Sequence, residues 1–347
     1  MTDIMRSPYL RTGRYFLAAL LVAMGVAIGL MFQRLPSSDV PVVSTSHPLT
    51  INAQRARSYP GGALTVEAQL GPQPGYSLSR VSYPSDGYNI TGLMATPATP
   101  KPIFGYPVII LAHGYIPQTR YLTDGPEYAD YIRAFARAGY VVVKPDFRGY
   151  GGSWGAPQSA YYSPVDNADL LNLAASLSAY RPVDAARIGL FGHSLGGHVV
   201  LNAVTIAPQR FRAAVIASSG VGNIADMYAN WRPPSEGGNP EAADEKMRLA
   251  EQFGDPAHNP RFWAQVSPIT YARQITTPLL LTHGTADRVI PQRFTMQLEE
   301  ALEAAGHLPS MDIRPGAGHV YGGSDKAALI AESLALFDKQ VKRAPSL

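Results

Sequence analysis

The sequence predicts an α/β fold with a mostly parallel, doubly wound sheet, because short apolar runs alternate with segments of helical periodicity. The clearest run, residues 107–112 (PVIILA), is apolar without interruption, which is typical of a strand buried on both faces of a sheet. Similar runs lie at 140–145 and 278–283, whereas residues 165–179 have the apolar spacing of a helix. This alternation indicates parallel strands with helices packed on both faces.

The remaining elements follow from the same patterns. Three β-like segments, 64–70, 76–83 and 88–95, are separated by turn residues and predict antiparallel strands at the N-terminal edge of the sheet. Further predicted strands are 187–191, 211–218 and 310–314, and further predicted helices are 128–138, 198–206, 241–253 and 325–341.

Length and composition limit the classes of protein to which the chain can belong. With 347 residues it is long enough for one large α/β domain, and 46% hydrophobic against 16% charged residues excludes a disordered chain. The net charge is only +3 and no long basic run is present, so nucleic acid is not an expected partner. The chain contains no cysteine, which excludes disulfides and a thiolate nucleophile.

The N-terminal region predicts a membrane-directing segment. The run of 18 residues from Tyr15 to Phe32 carries no charge, and at about 1.5 Å per residue it approaches the roughly 30 Å hydrocarbon thickness of a bilayer. Three arginines precede the run and one follows it closely, which places residues 1–14 in the cytoplasm and the following chain outside. We interpret the run as a single-pass anchor; the alternative is a signal segment that is cleaved before secretion.

Residues 33–62 are rich in Pro, Ser, Thr and Val without periodicity, which predicts a poorly ordered stalk ahead of a folded domain over 63–347. A second irregular segment, 222–267, contains two tryptophans, paired prolines and paired glycines. We interpret it as an insertion that covers the functional site; the alternative is an ordinary long connection.

A glycine-rich turn between a predicted strand and a predicted helix carries the strongest chemical signal. Residues 192–197 read GHSLGG, the G-x-S-x-G pattern in which a serine occupies a strained strand-to-helix turn and projects its oxygen from the top of a sheet. Neighbouring backbone passes so closely there that only glycine fits. Ser194 is therefore the predicted nucleophile; the alternative is a structural glycine turn.

The partners that a serine nucleophile needs follow in the order Ser, Asp, His. Asp287 lies on the loop after the strand 278–283, where a carboxylate can orient a histidine. His319 lies on a glycine-rich loop after the strand 310–314 and is the predicted base.

Two backbone amides are predicted to hold the oxyanion, those of Leu195 and Tyr115, because this fold takes one donor after the nucleophile and one from the loop after an early strand. Three other histidines have plainer structural interpretations. His113 is expected to brace the loop of Tyr115, and His193 and His198 are expected to pack around the turn.

Five motifs together resemble the catalytic domain of the prolyl oligopeptidase family of α/β-hydrolases, including its acylaminoacyl-peptidase-like members. They are 187–197 (RIGLFGHSLGG), 211–215 (FRAAV), 267–271 (SPITY), 282–291 (THGTADRVIP) and 316–319 (GAGH). The resemblance covers residues 88–342 and implies an α/β-hydrolase fold. It also implies a triad of Ser194, Asp287 and His319, an acyl-enzyme intermediate, and no metal or organic cofactor.

The predicted function is therefore that of a serine hydrolase acting on peptide or ester bonds; a carboxylesterase for small esters and a non-catalytic binding protein are the alternatives. Peptidases of this family carry an N-terminal β-propeller, which needs roughly 160 residues for even four blades of about 40. The sequence before residue 88 is shorter, so we expect small esters or short peptides, held against Trp231 and Trp263. The oligomeric state is not predicted.

Overall fold

Nine strands form one mixed sheet in residues 47–231 and 240–342, the part of the chain that the computed structural model describes. Their spatial order is β1-β2-β3-β5-β4-β6-β7-β8-β9. The strands are β1 (Thr65–Gln73), β2 (Tyr76–Ser85), β3 (Tyr88–Pro97), β4 (Tyr106–Ala112), β5 (Val141–Pro145), β6 (Val183–His193), β7 (Ala213–Ala217), β8 (Leu279–Gly284) and β9 (Ser310–Arg314). The pairs from β1 through β3 to β5 are antiparallel and all others are parallel, which confirms the predicted fold class.

The helices lie between these strands. They are α1 (Ile51–Ala56), α2 (Ala129–Arg137), α3 (Val165–Leu177), α4 (Leu195–Ile206), α5 (Ile224–Asn230), α6 (Pro240–Phe253), α7 (Pro260–Gln265), α8 (Arg293–Ala304) and α9 (Gly323–Gln340). Short 3₁₀ turns occupy Pro126–Tyr128, Pro208–Arg210 and Pro268–Gln274.

Strand β4 shows why the sheet has helices on both sides. All seven of its residues are buried, and successive side chains of a strand point to opposite faces. Val108 and Ile110 belong to the core shared with α3 and α4, whereas Ile109 and Leu111 belong to the core shared with α2 and α9. The uninterrupted apolar run in the sequence reflects this burial on both faces.

The strand order places two loops side by side at the centre of the sheet. The chain passes from β4 to β5 on one side and then returns to β6 on the other side of β4. Ligands of open α/β sheets bind at the carboxyl ends of the strands where the order reverses in this way. The loop after β4 and the turn after β6 meet at that position.

The prediction of a poorly ordered stalk is wrong for residues 47–62. Thr50 caps α1 by accepting a hydrogen bond from the Ala53 amide, and Ile51 in this helix is completely buried. Arg55 donates from Nε to the carbonyl oxygen of Thr205 at the end of α4, 3.0 Å away. The sequence did not predict this helix, because the proline and serine residues around it are typical of irregular chain. A helix of only six residues is stabilised by packing rather than by local propensity.

The chain after α1 is also fixed to the domain. The Gly61 amide donates to Oδ1 of Asn172 and the Gly62 amide to Oγ of Ser176, both at 3.0 Å and both acceptors on α3. Residues 47–62 therefore belong to the folded domain, whose boundary lies earlier than 63.

The predicted membrane segment, residues 15–32, lies outside the described residues, as do the predicted cytoplasmic segment 1–14 and residues 33–46 of the stalk. Within the described parts of the chain, no helix is both long and apolar enough to cross a membrane.

Burial of α1 yields a testable prediction about stability. Replacing the fully buried Ile51 by Ala leaves a cavity between α1 and the domain, so Ile51→Ala should lower the free energy of unfolding by about 2–5 kcal/mol. Asn52→Ala, at the neighbouring exposed position of the same helix, is the matched control and should change it by less than about 0.5 kcal/mol. Chemical unfolding of the full chain measures both; equal midpoints for the two variants would contradict the packing of α1.

Candidate active site

The turn between β6 and α4 holds Ser194 in a strained backbone conformation. Its φ of 56° and ψ of −124° lie in a region that residues with side chains rarely occupy, so surrounding contacts must impose it. The Ser194 amide donates to the carbonyl oxygen of Ala217 at 2.9 Å, and its own carbonyl oxygen accepts from the Gly197 amide at 2.9 Å. These bonds tie the serine to strand β7 on one side and to helix α4 on the other.

The glycines of the motif are required by close approach of the backbone. A Cβ atom at Gly196 would lie 2.1 Å from the carbonyl oxygen of Ala112, the last residue of β4. A Cβ at Gly192 would lie 2.4 Å from the Gly196 oxygen, and one at Gly197 would lie 2.6 Å from Cβ of Ser219. No side chain fits at any of these positions without moving the sheet or the helix.

The structure brings the three predicted triad residues together through two hydrogen bonds. His319 Nδ1 lies 2.8 Å from Oδ2 of Asp287, and His319 Nε2 lies 2.8 Å from Oγ of Ser194. The carboxylate only accepts, so Nδ1 carries the proton and Nε2 is left to accept from the serine hydroxyl. This is the tautomer that a general base for Ser194 requires.

The environment of Asp287 keeps its carboxylate ionised. Oδ1 accepts from the amides of Val289 at 2.7 Å and Ile290 at 2.9 Å, and Nε2 of His283 lies 3.2 Å from Oδ2. Burial raises the pKa of Asp287, but the hydrogen bonds from His283, His319 and the Ile290 amide outweigh it, so this pKa lies well below its usual range. His283 therefore supports the loop that carries Asp287.

The loop after β4 lies directly against the nucleophile. A Cβ at Gly114 would be 3.1 Å from Cβ of Ser194. His113 Nδ1 lies 2.8 Å from the Gly114 carbonyl oxygen, and the Gly114 amide donates to the hydroxyl of Tyr128 at 2.7 Å. In a trans peptide the carbonyl and the next amide point in opposite directions, so His113 also fixes the direction of the Tyr115 amide.

The two predicted oxyanion donors are placed differently in the fold. Leu195 is the first residue of α4, where an amide has no acceptor within the helix. The Tyr115 amide follows the peptide that His113 orients. Their role toward an oxyanion stays a prediction.

The two predicted substrate-binding tryptophans differ in their surroundings. Trp231, after α5, is half-buried and donates from Nε1 to the carbonyl oxygen of Val289 on the acid loop at 2.8 Å. Trp263 on α7 is completely buried, and its Nε1 donates to the Gly254 carbonyl oxygen at 2.9 Å. The assignment of Trp263 to substrate binding is wrong, because this ring is completely buried against the Tyr228 ring and presents no surface to a ligand.

Sequence reasoning missed Tyr128 as a neighbour of the site. The sequence places it only at the start of a helix, and no spacing or motif links it to Ser194. The structure shows its hydroxyl bonded to the loop after β4 and within 3.1 Å of Nδ1 of His193. His198, on α4, is buried, and its Nδ1 lies 2.8 Å from the Val221 carbonyl oxygen, which fits the packing role expected for it.

Comparison with known proteins places this chain in a family. Residues 126–344 match the model of the prolyl oligopeptidase family. The chain is 28% identical over 246 residues to the uncharacterized peptidase YuxL of Bacillus subtilis, an alignment that covers 67% of this chain and 34% of YuxL. It is also 26% identical over 244 residues to the uncharacterized peptidase YtmA of the same organism, with 69% of this chain and 86% of YtmA covered.

A solved structure shows the same fold. The acylaminoacyl peptidase of Pyrococcus horikoshii superposes with a TM-score of 0.59 at 22% identity, covering 79% of this chain and 43% of that protein. This chain thus spans about a third of YuxL and less than half of the Pyrococcus horikoshii peptidase. The family match covers most of the described fold and all three residues of the Asp287–His319–Ser194 arrangement, so the chain belongs to the prolyl oligopeptidase family.

Proposed function

We propose that this chain is a serine hydrolase that transfers an acyl group from an ester or a short peptide to water. His319 Nε2 takes the proton of Ser194 as Oγ attacks the acyl carbonyl carbon. The carbonyl oxygen becomes an anion, which the amides of Leu195 and Tyr115 stabilise by hydrogen bonds. Asp287 fixes the imidazole and stabilises the charge that the ring gains.

The second half of the reaction returns the enzyme to its starting state. His319 gives its proton to the leaving alcohol or amine, the bond to the acyl carbon breaks, and the acyl group stays on Ser194 as an ester. Water then loses a proton to His319 and attacks this ester, and the acid is released as the proton returns to Oγ of Ser194.

The single observation that carries this proposal is the unbroken path of hydrogen bonds from Asp287 through His319 to Ser194, with both bonds at 2.8 Å. The Asp287 side chain is fully buried and that of His319 is 15% exposed, so water reaches the base but not the acid. A binding protein without catalysis has no need for a strained serine aligned with a base.

For the substrate we propose small acyl esters and short or blocked peptides. The aromatic side chains of Trp231 and Tyr161 lie together near the acid loop, with ring centroids 5.6 Å apart, and they support an apolar wall beside the site. Esters also release their alcohols more easily than amides release amines, so a site of this kind cleaves activated esters first. A carboxylesterase is the second candidate function, and the same wall supports it.

We also propose that residues 15–32 anchor the protein in a membrane with the hydrolase domain on the extracytoplasmic side. The uncharged run and the arginines before it support this topology. Secretion after cleavage of this segment is the alternative.

The triad is tested by labelling and by substitution. A fluorophosphonate probe should label Ser194, and Ser194→Ala should abolish both labelling and turnover. Asp287→Asn should lower kcat by about 10⁴-fold, because the amide no longer selects the tautomer in which Nε2 accepts. Mass spectrometry of the labelled peptide and steady-state kinetics measure these effects.

A matched control for the acid is Asp184→Asn. Asp184 lies near the other end of β6 and likewise accepts from a backbone amide and a side chain, those of Ala186 and Arg187. It should leave kcat within about twofold, since it is far along the strand from Ser194. Full turnover by the Ser194→Ala protein would refute the mechanism.

The substrate class is tested by a side-by-side panel on the full chain in detergent. We expect p-nitrophenyl esters of short acids to be hydrolysed with higher kcat/KM than aminoacyl or dipeptidyl anilides, because the leaving group of an activated ester departs more readily. Ser194→Ala serves as the blank for background hydrolysis. A higher kcat/KM for any anilide than for every ester would replace the esterase assignment by a peptidase assignment.

The membrane proposal is tested by fractionation of cells that express the full chain. The protein should stay with membranes after a carbonate wash, and a chain that lacks residues 15–32 should be released, because the apolar run supplies the insertion energy. A wash-soluble protein whose N-terminus lies near Leu30 would show cleavage instead of anchoring.

A further inference from the structure

A second path of hydrogen bonds connects two loops next to Ser194 without including Ser194 itself. The Gly114 amide donates to Oη of Tyr128 at 2.7 Å, and this oxygen lies 3.1 Å from Nδ1 of His193. On the other side of the ring, Nε2 of His193 lies 2.9 Å from the carbonyl oxygen of His319. The path joins the loop after β4, which carries the predicted oxyanion amide, to the loop that carries the predicted base.

The chemistry of the groups fixes the direction of every bond in this path. A carbonyl oxygen only accepts, so Nε2 of His193 must carry a proton and donate to His319. A neutral imidazole then has Nδ1 free to accept, and the Tyr128 hydroxyl is its donor. A lone pair of that hydroxyl accepts from the Gly114 amide, so every group in the path has a hydrogen-bond partner.

Burial keeps both side chains in the protonation states that the path needs. Burial, with a smaller contribution from the nearby His319, lowers the pKa of His193 to about 4, so its ring is neutral at pH 7. Burial also raises the pKa of Tyr128, which keeps its hydroxyl protonated. Tyr128 is only 7% exposed, so water does not compete for these bonds.

We propose that Tyr128 and His193 are positioning residues that hold the oxyanion loop and the base loop at a fixed separation around Ser194. We call this path the Tyr128–His193 tie, and the proposal rests on the proposed function. The hydrogen bonds of both side chains go to backbone groups of the two loops and to each other, and not to Ser194 Oγ or the His319 ring, so each side chain acts through the backbone of a loop.

The tie matters because three groups must be positioned around one acyl carbonyl group at the same time. Oγ of Ser194 attacks it, Nε2 of His319 receives the proton, and the Tyr115 amide stabilises the oxygen. The nucleophile is fixed by the strained turn, but the other two groups sit on separate loops after β9 and β4. A shift of about 1 Å between such groups lowers turnover by roughly 100-fold, whereas binding of the substrate is less sensitive.

The test uses Tyr128→Phe, His193→Phe and the double variant in the full chain. Each single variant keeps an aromatic ring but removes hydrogen bonds of the tie. We expect each to lower kcat by about 10- to 100-fold with KM within about threefold, because positioning acts on the transition state. The double variant should lose no more than about threefold beyond the worse single variant, since both break the same path.

A conservative variant separates hydrogen bonding from packing. His193→Gln retains an N–H that reaches the His319 carbonyl oxygen, so it should recover at least about threefold of the kcat that His193→Phe loses. Tyr131→Phe is the matched control: Tyr131 lies one turn further along α2, is 8% exposed and has its ring against Phe191. It should leave kcat within about twofold.

Thermal unfolding of every variant shows whether the fold is retained, and labelling by the fluorophosphonate probe reports on Ser194 itself. Single variants with unchanged kcat, losses that multiply in the double variant, or a Gln variant no better than Phe would each overturn the tie. A wild-type chain that hydrolyses neither esters nor anilides would instead overturn the proposed function, so the two failures are distinguishable.

Discussion

The close approach of helix α4 to the end of strand β4 is the constraint on which the rest of the site depends. The Gly196 backbone passes so near the Ala112 carbonyl oxygen that a Cβ atom would lie 2.1 Å from it. This approach forces Ser194 into its positive-φ conformation and brings the loop of Gly114 against the serine. The position of Ser194 and of the amides beside it therefore depends on the packing of one helix on two parallel strands. Asp287 and His319, the proposed acid and base, come from loops further along the sheet.

Those two loops follow strands β8 and β9, which pair in parallel beyond β7. Asp287 is fixed by the turn that it caps, because its Oδ1 accepts from two amides of its own loop. His319 has fewer constraints within its own segment and is held by contacts from outside, namely Asp287 on one ring nitrogen and the His193 side chain on its carbonyl oxygen. The position of the His319 ring therefore depends on tertiary contacts rather than on its own loop.

This difference explains what could be predicted from the sequence. The buried strands, the glycine-serine turn and the order Ser194, Asp287, His319 were predictable, because each depends on a local pattern or on a fixed order along the chain. The helix α1 was not, since it is held by contacts with α4, which lies far along the chain, and its own segment has the composition of an irregular stretch. The burial of Trp263 and the contact of Tyr128 with the site were not predictable either. The neighbouring residues in the sequence do not indicate that the Trp263 ring is buried or that the Tyr128 hydroxyl bonds to the loop after β4.

In the proposed mechanism, the charges around His319 determine where the proton of Ser194 goes. Asp287 stays ionised because its carboxylate accepts from amides and imidazoles, so in the proposed mechanism the proton of Ser194 stops at His319 and does not pass on to Asp287. The His193 ring lies only 5.0 Å from the His319 ring, and a charge there would oppose the imidazolium that forms. Because burial lowers the pKa of His193 to about 4, that neighbour is neutral at pH 7 and donates a hydrogen bond instead. In the proposed mechanism His319 gains the proton during the reaction, while the neighbouring His193 stays neutral.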